Sequence, residues 1–247
     1  MNLIRLGITC ILITITVSQH AKAAIALDRT RAIFDGNRDA MSLKLRNDSR
    51  QNPYLAQVWL EDEQGNRITS PFIVTPPLQR IEASQNSQIR IQRTPDAQKS
   101  LPSDRESVYY LSVREIPPRN KDGENYLQIA LQTRIKMFYR PASIQAGNDG
   151  VHYEQGISLS IQGNRVTLGN DTPYFLTVLD IENPREQKIT EPFDSRMLAP
   201  HSDTSFERSS ERDVHHVKVY YVNDFGGVSA LPFNCTVGQS QCERIPQ

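Results

Sequence analysis

Cysteine is scarce in this 247-residue chain, with only Cys10, Cys235 and Cys242. Two cysteines near the C-terminus, without a flanking histidine or a second cysteine pair, do not make a zinc site. Excess charge is also missing, since 28 basic residues meet 28 acidic ones. Without a global positive field, nucleic acid is excluded as the main partner. No nucleophile elbow, HExxH, P-loop or GxGxxG motif occurs, so neither a catalytic residue nor a cofactor is expected. Histidine offers no metal centre. His215 and His216 are neighbours on a predicted strand and point to opposite faces, and His152 and His201 stand apart. One enzyme reading stays open, a glycosidase on a β-sandwich, because a sequence does not reveal which carboxylates face each other across a cleft.

Long apolar runs are absent beyond the N-terminus, where Leu6 to Val17 follows Arg5 and precedes Ala21-Lys22-Ala23. That run is shorter than the roughly 20 residues of a spanning helix. With an A-x-A site after it, residues 1–23 read as a signal peptide removed before Ala24. The product is then exported, with no stable membrane insertion. Cleavage removes Arg5 and Lys22 and no acid, leaving 26 basic against 28 acidic groups, net −2. It also removes Cys10. Cys235 and Cys242 are then expected to form one disulfide in an oxidising compartment.

Short alternating segments with turn residues between them dominate the rest, the pattern of all-β sandwiches. Met41, Leu43 and Leu45 alternate with polar residues, as do Tyr109, Leu111 and Val113, and Ile157, Leu159 and Ile161. Val214 to Val222 and Val228 to Cys235 predict a hairpin across Asn223 to Gly227. The loop from Pro141 to Gly150 divides the pattern, which predicts domains over 24–143 and 144–247. The longest alternation runs from Tyr126 to Phe138, with Leu127, Ile129, Leu131, Ile135 and Met137 on one parity. A strand of that length, about 40 Å at 3.3 Å per residue, would reach toward a second domain or offer an edge to a partner.

Thr75-Pro76-Pro77 interrupts a strand-like stretch, which predicts an edge, a bulge, a cis peptide or a strand that changes sheets. Asn47, Asn170 and Asn234 fit glycosylation tripeptides but read better as turns or strand ends. Arg29, Arg31, Arg134, Lys136 and Arg140 fall within predicted strands beside apolar residues. Cations so placed are costly unless paired. They form either internal salt bridges and a solvated face, or a cationic cleft for an anion.

Several of these segments carry a resemblance. Ala24 to Gly36, Pro53 to Gln57, Thr75-Pro76-Pro77, Asp104 to Ser107, Arg114 to Arg119 and Leu127 to Pro141 are similar to PapD-type periplasmic pilus chaperones. Asn170 to Tyr174, Met197 to Pro200, Asn223 to Gly227 and the cysteine pair extend the likeness over the second half. The resemblance implies two immunoglobulin-like domains with a cleft between them. It implies that Arg31 and Lys136 grip the C-terminal carboxylate of a pilin, and that Leu127, Ile129 and Leu131 fill the groove left by the pilin's missing strand. It makes Glu106, Arg140 and Asp224 an interdomain salt-bridge set. The short loop from Pro117 to Asn125 implies the short-loop type. The partners implied are pilin and adhesin subunits and an outer-membrane usher. A structural or adhesive surface protein built from similar sandwiches remains a second class.

Overall fold

Alternating strands pair wherever one face can be buried, and this chain does so twice. The structure is a computed structural model and describes residues 23–119, 128–147, 150–183, 187–188, 195–208, 215–236 and 240–245. The signal peptide expected over residues 1–23 lies outside these except for Ala23. The first half contains β1 (Ile25–Leu27), β2 (Arg31–Asp35), β3 (Ala40–Asn47), β4 (Tyr54–Glu61), β5 (Arg67–Ile68), β6 (Phe72–Thr75), β7 (Leu78–Ile81), β8 (Asn86–Arg93), β9 (Ser107–Ile116) and β10 (Gln132–Arg140). The second contains β11 (Ile157–Gln162), β12 (Arg165–Asn170), β13 (Leu176–Asn183), β14 (Gln187–Lys188), β15 (Arg196–Leu198), β16 (Ser202–Glu207), β17 (His216–Val222), β18 (Val228–Asn234) and β19 (Gln241–Arg244).

In the first half, a sheet ordered β1-β3-β8-β6 faces one ordered β2-β10-β9-β4-β5, with β7 also beside β4. Between them lie Phe34, Leu43, Leu45, Phe72, Ile89, Leu111 and Met137, all buried. In the second half the order is β14-β13-β17-β18-β19-β11-β12-β16, with β15 beside β13. There β19 pairs with both β18 and β11 and so links the two faces of the sandwich. A separate core forms around Leu159, Leu168, Val178, Val219 and Phe233. The fold is thus all-β, two immunoglobulin-like sandwiches in sequence.

Two segments change sheets. β1 pairs with β3, whereas β2, three residues on, runs parallel to β10 in the opposite sheet. β6 pairs with β8 and β7 with β4, and Pro76-Pro77 makes the crossing, as the proline pair predicts. Thr75–Pro76 is cis, and so is Ser70–Pro71. Asn47 and Asn170 end strands, as expected. The buried Asn47 amide donates to the Asn52, Ile81 and Glu82 carbonyls, and Asn170 does the same for Tyr174 and Ala199. The predicted hairpin of β17 and β18 pairs in continuous register from His216 opposite Asn234 to Val222 opposite Val228.

Two expectations are corrected. Arg29 is not in a strand. It lies in the bend between β1 and β2 and pairs with Asp28 at 2.9 Å. The long strand from Tyr126 is also shorter than its alternation suggests, because β10 begins at Gln132. Gln132 lies opposite Arg114, so the ladder toward lower numbers meets Pro117 and Pro118 within a few residues. Proline has no N–H to donate, and regular pairing ends there.

Candidate functional site

The parallel pairing of β2 with β10 puts Arg31 opposite Lys136. On β10, Ile135 and Met137 point into the core, so Lys136 faces out, toward the second sandwich. Arg31 is buried and donates from Nη1 to the Val222 carbonyl at 3.0 Å, while its guanidinium lies 5.6 Å from the centre of the Phe138 ring. Lys136 donates from Nζ to Thr177 Oγ1 at 3.2 Å. Both cations therefore span from one sandwich to the other. Among the described residues neither has a carboxylate in ion-pairing range. Burial lowers the pKa of Lys136, and repulsion by Arg31 adds to it. Burial also lowers that of Arg31, with Tyr153, Asp224 and Glu106 opposing from further off. Two half-desolvated cations side by side, lacking an acid, have the electrostatics of an anion seat.

A few residues along β10, Arg140 presents the opposite case. Its Nε donates to Glu106 Oε1 at 2.8 Å, and its Nη1 and Nη2 donate to the two oxygens of Asp224 at 2.8 and 3.0 Å. Burial works against its charge, but Asp224 and Glu106 together outweigh it and raise its pKa. Glu106 is pushed up by burial, against the pull of Arg140, and also accepts from the Phe175 N–H at 2.8 Å. Its own backbone N–H donates to the Pro173 carbonyl. The Phe138 and Phe175 rings meet across the junction at 5.7 Å. Tyr174 donates from its hydroxyl to the Ile144 carbonyl, and the buried Tyr153 donates to that of Phe175. The expected set of Glu106, Arg140 and Asp224 is thus assembled. It joins the two sandwiches, because Asp224 comes from the β17–β18 hairpin.

The edge of β10 is open before Lys136. β2 pairs with it only from Arg31 onward, so Thr133 to Ile135 have β9 on one side and, among the described residues, no strand on the other. A groove of about 660 Å³ lies there, lined by Ile25, Leu27, Thr133 and Ile135 among others. The chain leading into β10 exposes Ile129 (64%) and Leu131 (37%). Leu127, expected to act with them, lies outside the described residues, as does most of the loop toward Asn125. The ladder from Gln132 to Tyr139 has no register shift, so the apolar parity and Lys136 occupy opposite sides of this segment. Cys235 and Cys242 form a disulfide. Among the described residues no group of three or more His, Cys, Asp or Glu could hold a metal, and no helix is long and apolar enough to cross a membrane.

Reading the sequence alone missed the neutral partners of the site. Val222 and Thr177 are ordinary strand residues and Phe175 is the residue just before β13, and their roles arise only where the two sandwiches meet. It also missed the support behind Arg134, which pairs with Glu61 at 2.7 Å while Glu61 accepts from Trp59 Nε1 and Ser112 Oγ.

Two immunoglobulin-like sandwiches joined through a buried ionic cluster, with a cationic cleft beside an open strand edge, define a class of assembly chaperones. Residues 24–145 match the family described as "Pili and flagellar-assembly chaperone, PapD N-terminal domain", and residues 152–233 match "Pili assembly chaperone PapD, C-terminal domain". The chain is 42% identical to the chaperone protein PapD of Escherichia coli over 234 residues, 94% of this chain and 95% of the relative. It is 38% identical to the chaperone protein PmfD of Proteus mirabilis over 240 residues, 96% and 92% of the two chains. The crystal structure of the E. coli chaperone DraB superposes with a TM-score of 0.69 at 27% identity, covering 87% of this chain and 98% of that one. The chain belongs to the PapD family of pilus-assembly chaperones.

Proposed function

We propose that the protein works in the periplasm, where it captures pilin and adhesin subunits by lending them a strand and passes them to an outer-membrane usher. The observation that carries this reading is the pair of neighbouring cations, Arg31 and Lys136, held in the cleft without an acid. In it, the C-terminal carboxylate of a subunit supplies the missing charge. Ile129 and Leu131, with Leu127, fill the groove of the incomplete subunit. The units doing this work are a domain over residues 24–143 that carries strand and anchor, and one over residues 144–247 that closes the cleft.

The magnitudes divide the labour. Burying three branched side chains supplies roughly 1.5–3 kcal/mol each before ordering costs. Charge-assisted bonds to a carboxylate supply about 1.5–3 kcal/mol each. The apolar zipper therefore dominates affinity, and the anchor selects register, since alternation alone tolerates slips of two residues.

The test uses a peptide copying the last strand of the subunit that copurifies with the protein, with a free or an amidated C-terminus. Amidation is expected to weaken binding by roughly 10- to 100-fold. Equal binding of the two peptides would remove the anchor from the mechanism.

A further inference from the structure

One carboxylate on the buried parity of β9 has no role in this cleft. Leu111, Val113 and Glu115 point the same way, so Glu115 enters the end of the first sandwich, where it is 6% exposed. Among the described residues no lysine, arginine or histidine is ion-paired with it. What reaches it is the start of β1. The Ala24 nitrogen lies 2.5 Å from Glu115 Oε2, and the Ile25 N–H donates to the same oxygen at 3.0 Å. Ala24 is held in that position from its other side as well, because its carbonyl accepts from the Asp48 N–H at 2.7 Å. The Asp48 carboxylate is paired with Arg46.

We propose that Glu115 is the seat of the α-ammonium group of a chain beginning at Ala24, so that removal of the leader supplies the cation this buried acid lacks. The inference rests on the export contained in the proposed function and on the leader cleavage that the sequence predicts before Ala24. Hydrolysis of the Ala23–Ala24 peptide bond places the hydroxyl of a water on the Ala23 carbonyl and its hydrogen on the Ala24 nitrogen. The resulting amine takes up a proton from solvent. Before cleavage that nitrogen is an amide with one N–H and no charge. Afterwards it is an ammonium with three donors, already at hydrogen-bonding distance from a buried carboxylate. A charge-assisted bond of this kind is about twice as strong as a neutral one.

The consequence reaches the open edge. β1 forms one wall of the groove whose other wall is Thr133 and Ile135. Fixing Ala24, the residue just before β1, fixes that wall, so N-terminal processing completes the surface beside the strand that is lent to subunits. An unprocessed chain, with its leader attached, lacks this ion pair and holds β1 less firmly.

The test compares the exported protein with a form carrying two extra residues, Gly-Ser, ahead of Ala24, each with and without Glu115→Gln. Mass spectrometry of the exported protein reports the cleavage point, and a first residue other than Ala24 overturns the proposal through the cleavage reading alone. With Ala24 first, the extension is expected to lower the melting temperature by roughly 3–6 °C in the Glu115 protein and to have no effect in the Glu115→Gln protein. An equal shift in both, or none in the Glu115 protein, overturns the ion pair while leaving cleavage intact. Should Glu115→Gln not fold, the pH dependence of α-amine acylation on the unaltered protein decides. A midpoint above the ordinary ~8 supports the seat, and one at or below it overturns it.

Discussion

Arg31 and Lys136 stand next to each other in a protein where other cations of the same sheets have found acids. Arg134 has Glu61, and Arg140 has Glu106 and Asp224. Keeping two cations half-desolvated and unpaired opposes folding, so the pair is retained at the expense of stability. Lys136→Met should therefore melt at a higher temperature than the wild type while losing subunit capture, by calorimetry and by copurification. A variant that melts lower, or that still captures normally, would contradict this. The sign of the pH dependence follows. The folded pKa of Lys136 lies below its ordinary 10.5, because burial and Arg31 disfavour the charge. In the window just below that value the unfolded chain binds more protons, so stability rises with pH there. Lys136→Met should remove that rise.

At the scale of elements, the segment entering β10 exposes apolar side chains where pairing has stopped. A strand with such an edge is an aggregation hazard unless a partner takes it. Ile129→Glu should abolish capture, because a carboxylate left unpaired in the subunit's groove costs several kcal/mol. An unchanged titration of an isolated subunit would remove this segment from the donor role. The disulfide belongs to a different element pair, the end of β18 and β19. Its short loop limits the gain to about 2–3 kcal/mol. The Cys235→Ser/Cys242→Ser protein should melt earlier yet bind subunits with nearly unchanged affinity at low temperature. A loss of binding there would show that β19 shapes the cleft.

For the whole molecule, the junction is what turns two sandwiches into one site. Arg140 holds acids from both halves, and removing it leaves Glu106 and Asp224 buried without a counter-ion. Arg140→Ala should cost about 3–5 kcal/mol, visible as a lower denaturation midpoint. Its small-angle scattering should also show a looser arrangement of the two halves. A variant with wild-type scattering would show that Phe138 against Phe175 and the backbone bonds of Glu106 hold the junction by themselves.

Much of this was legible in the sequence, for a physical reason. A strand places alternate residues on opposite faces, so Leu43 and Leu45, or Leu111 and Val113, declare a buried side without knowledge of the partner sheet. Pro76-Pro77 declares a sheet change in the same local way, because two missing N–H groups interrupt any ladder. Arg31, Lys136 and Arg140 could be singled out as cations beside apolar neighbours, whereas Glu106 and Asp224 came through family resemblance alone. Local pattern could not say where β10 begins, since that depends on Pro117 and Pro118 of the strand opposite. Nor could it tell Arg140, which meets two acids, from Arg31 and Lys136, which meet only neutral acceptors. That distinction depends on Asp224, Val222 and Thr177, contributed from the other sandwich. Charges acquire their energies from what the fold brings within a few ångströms, and only the tertiary structure decides that.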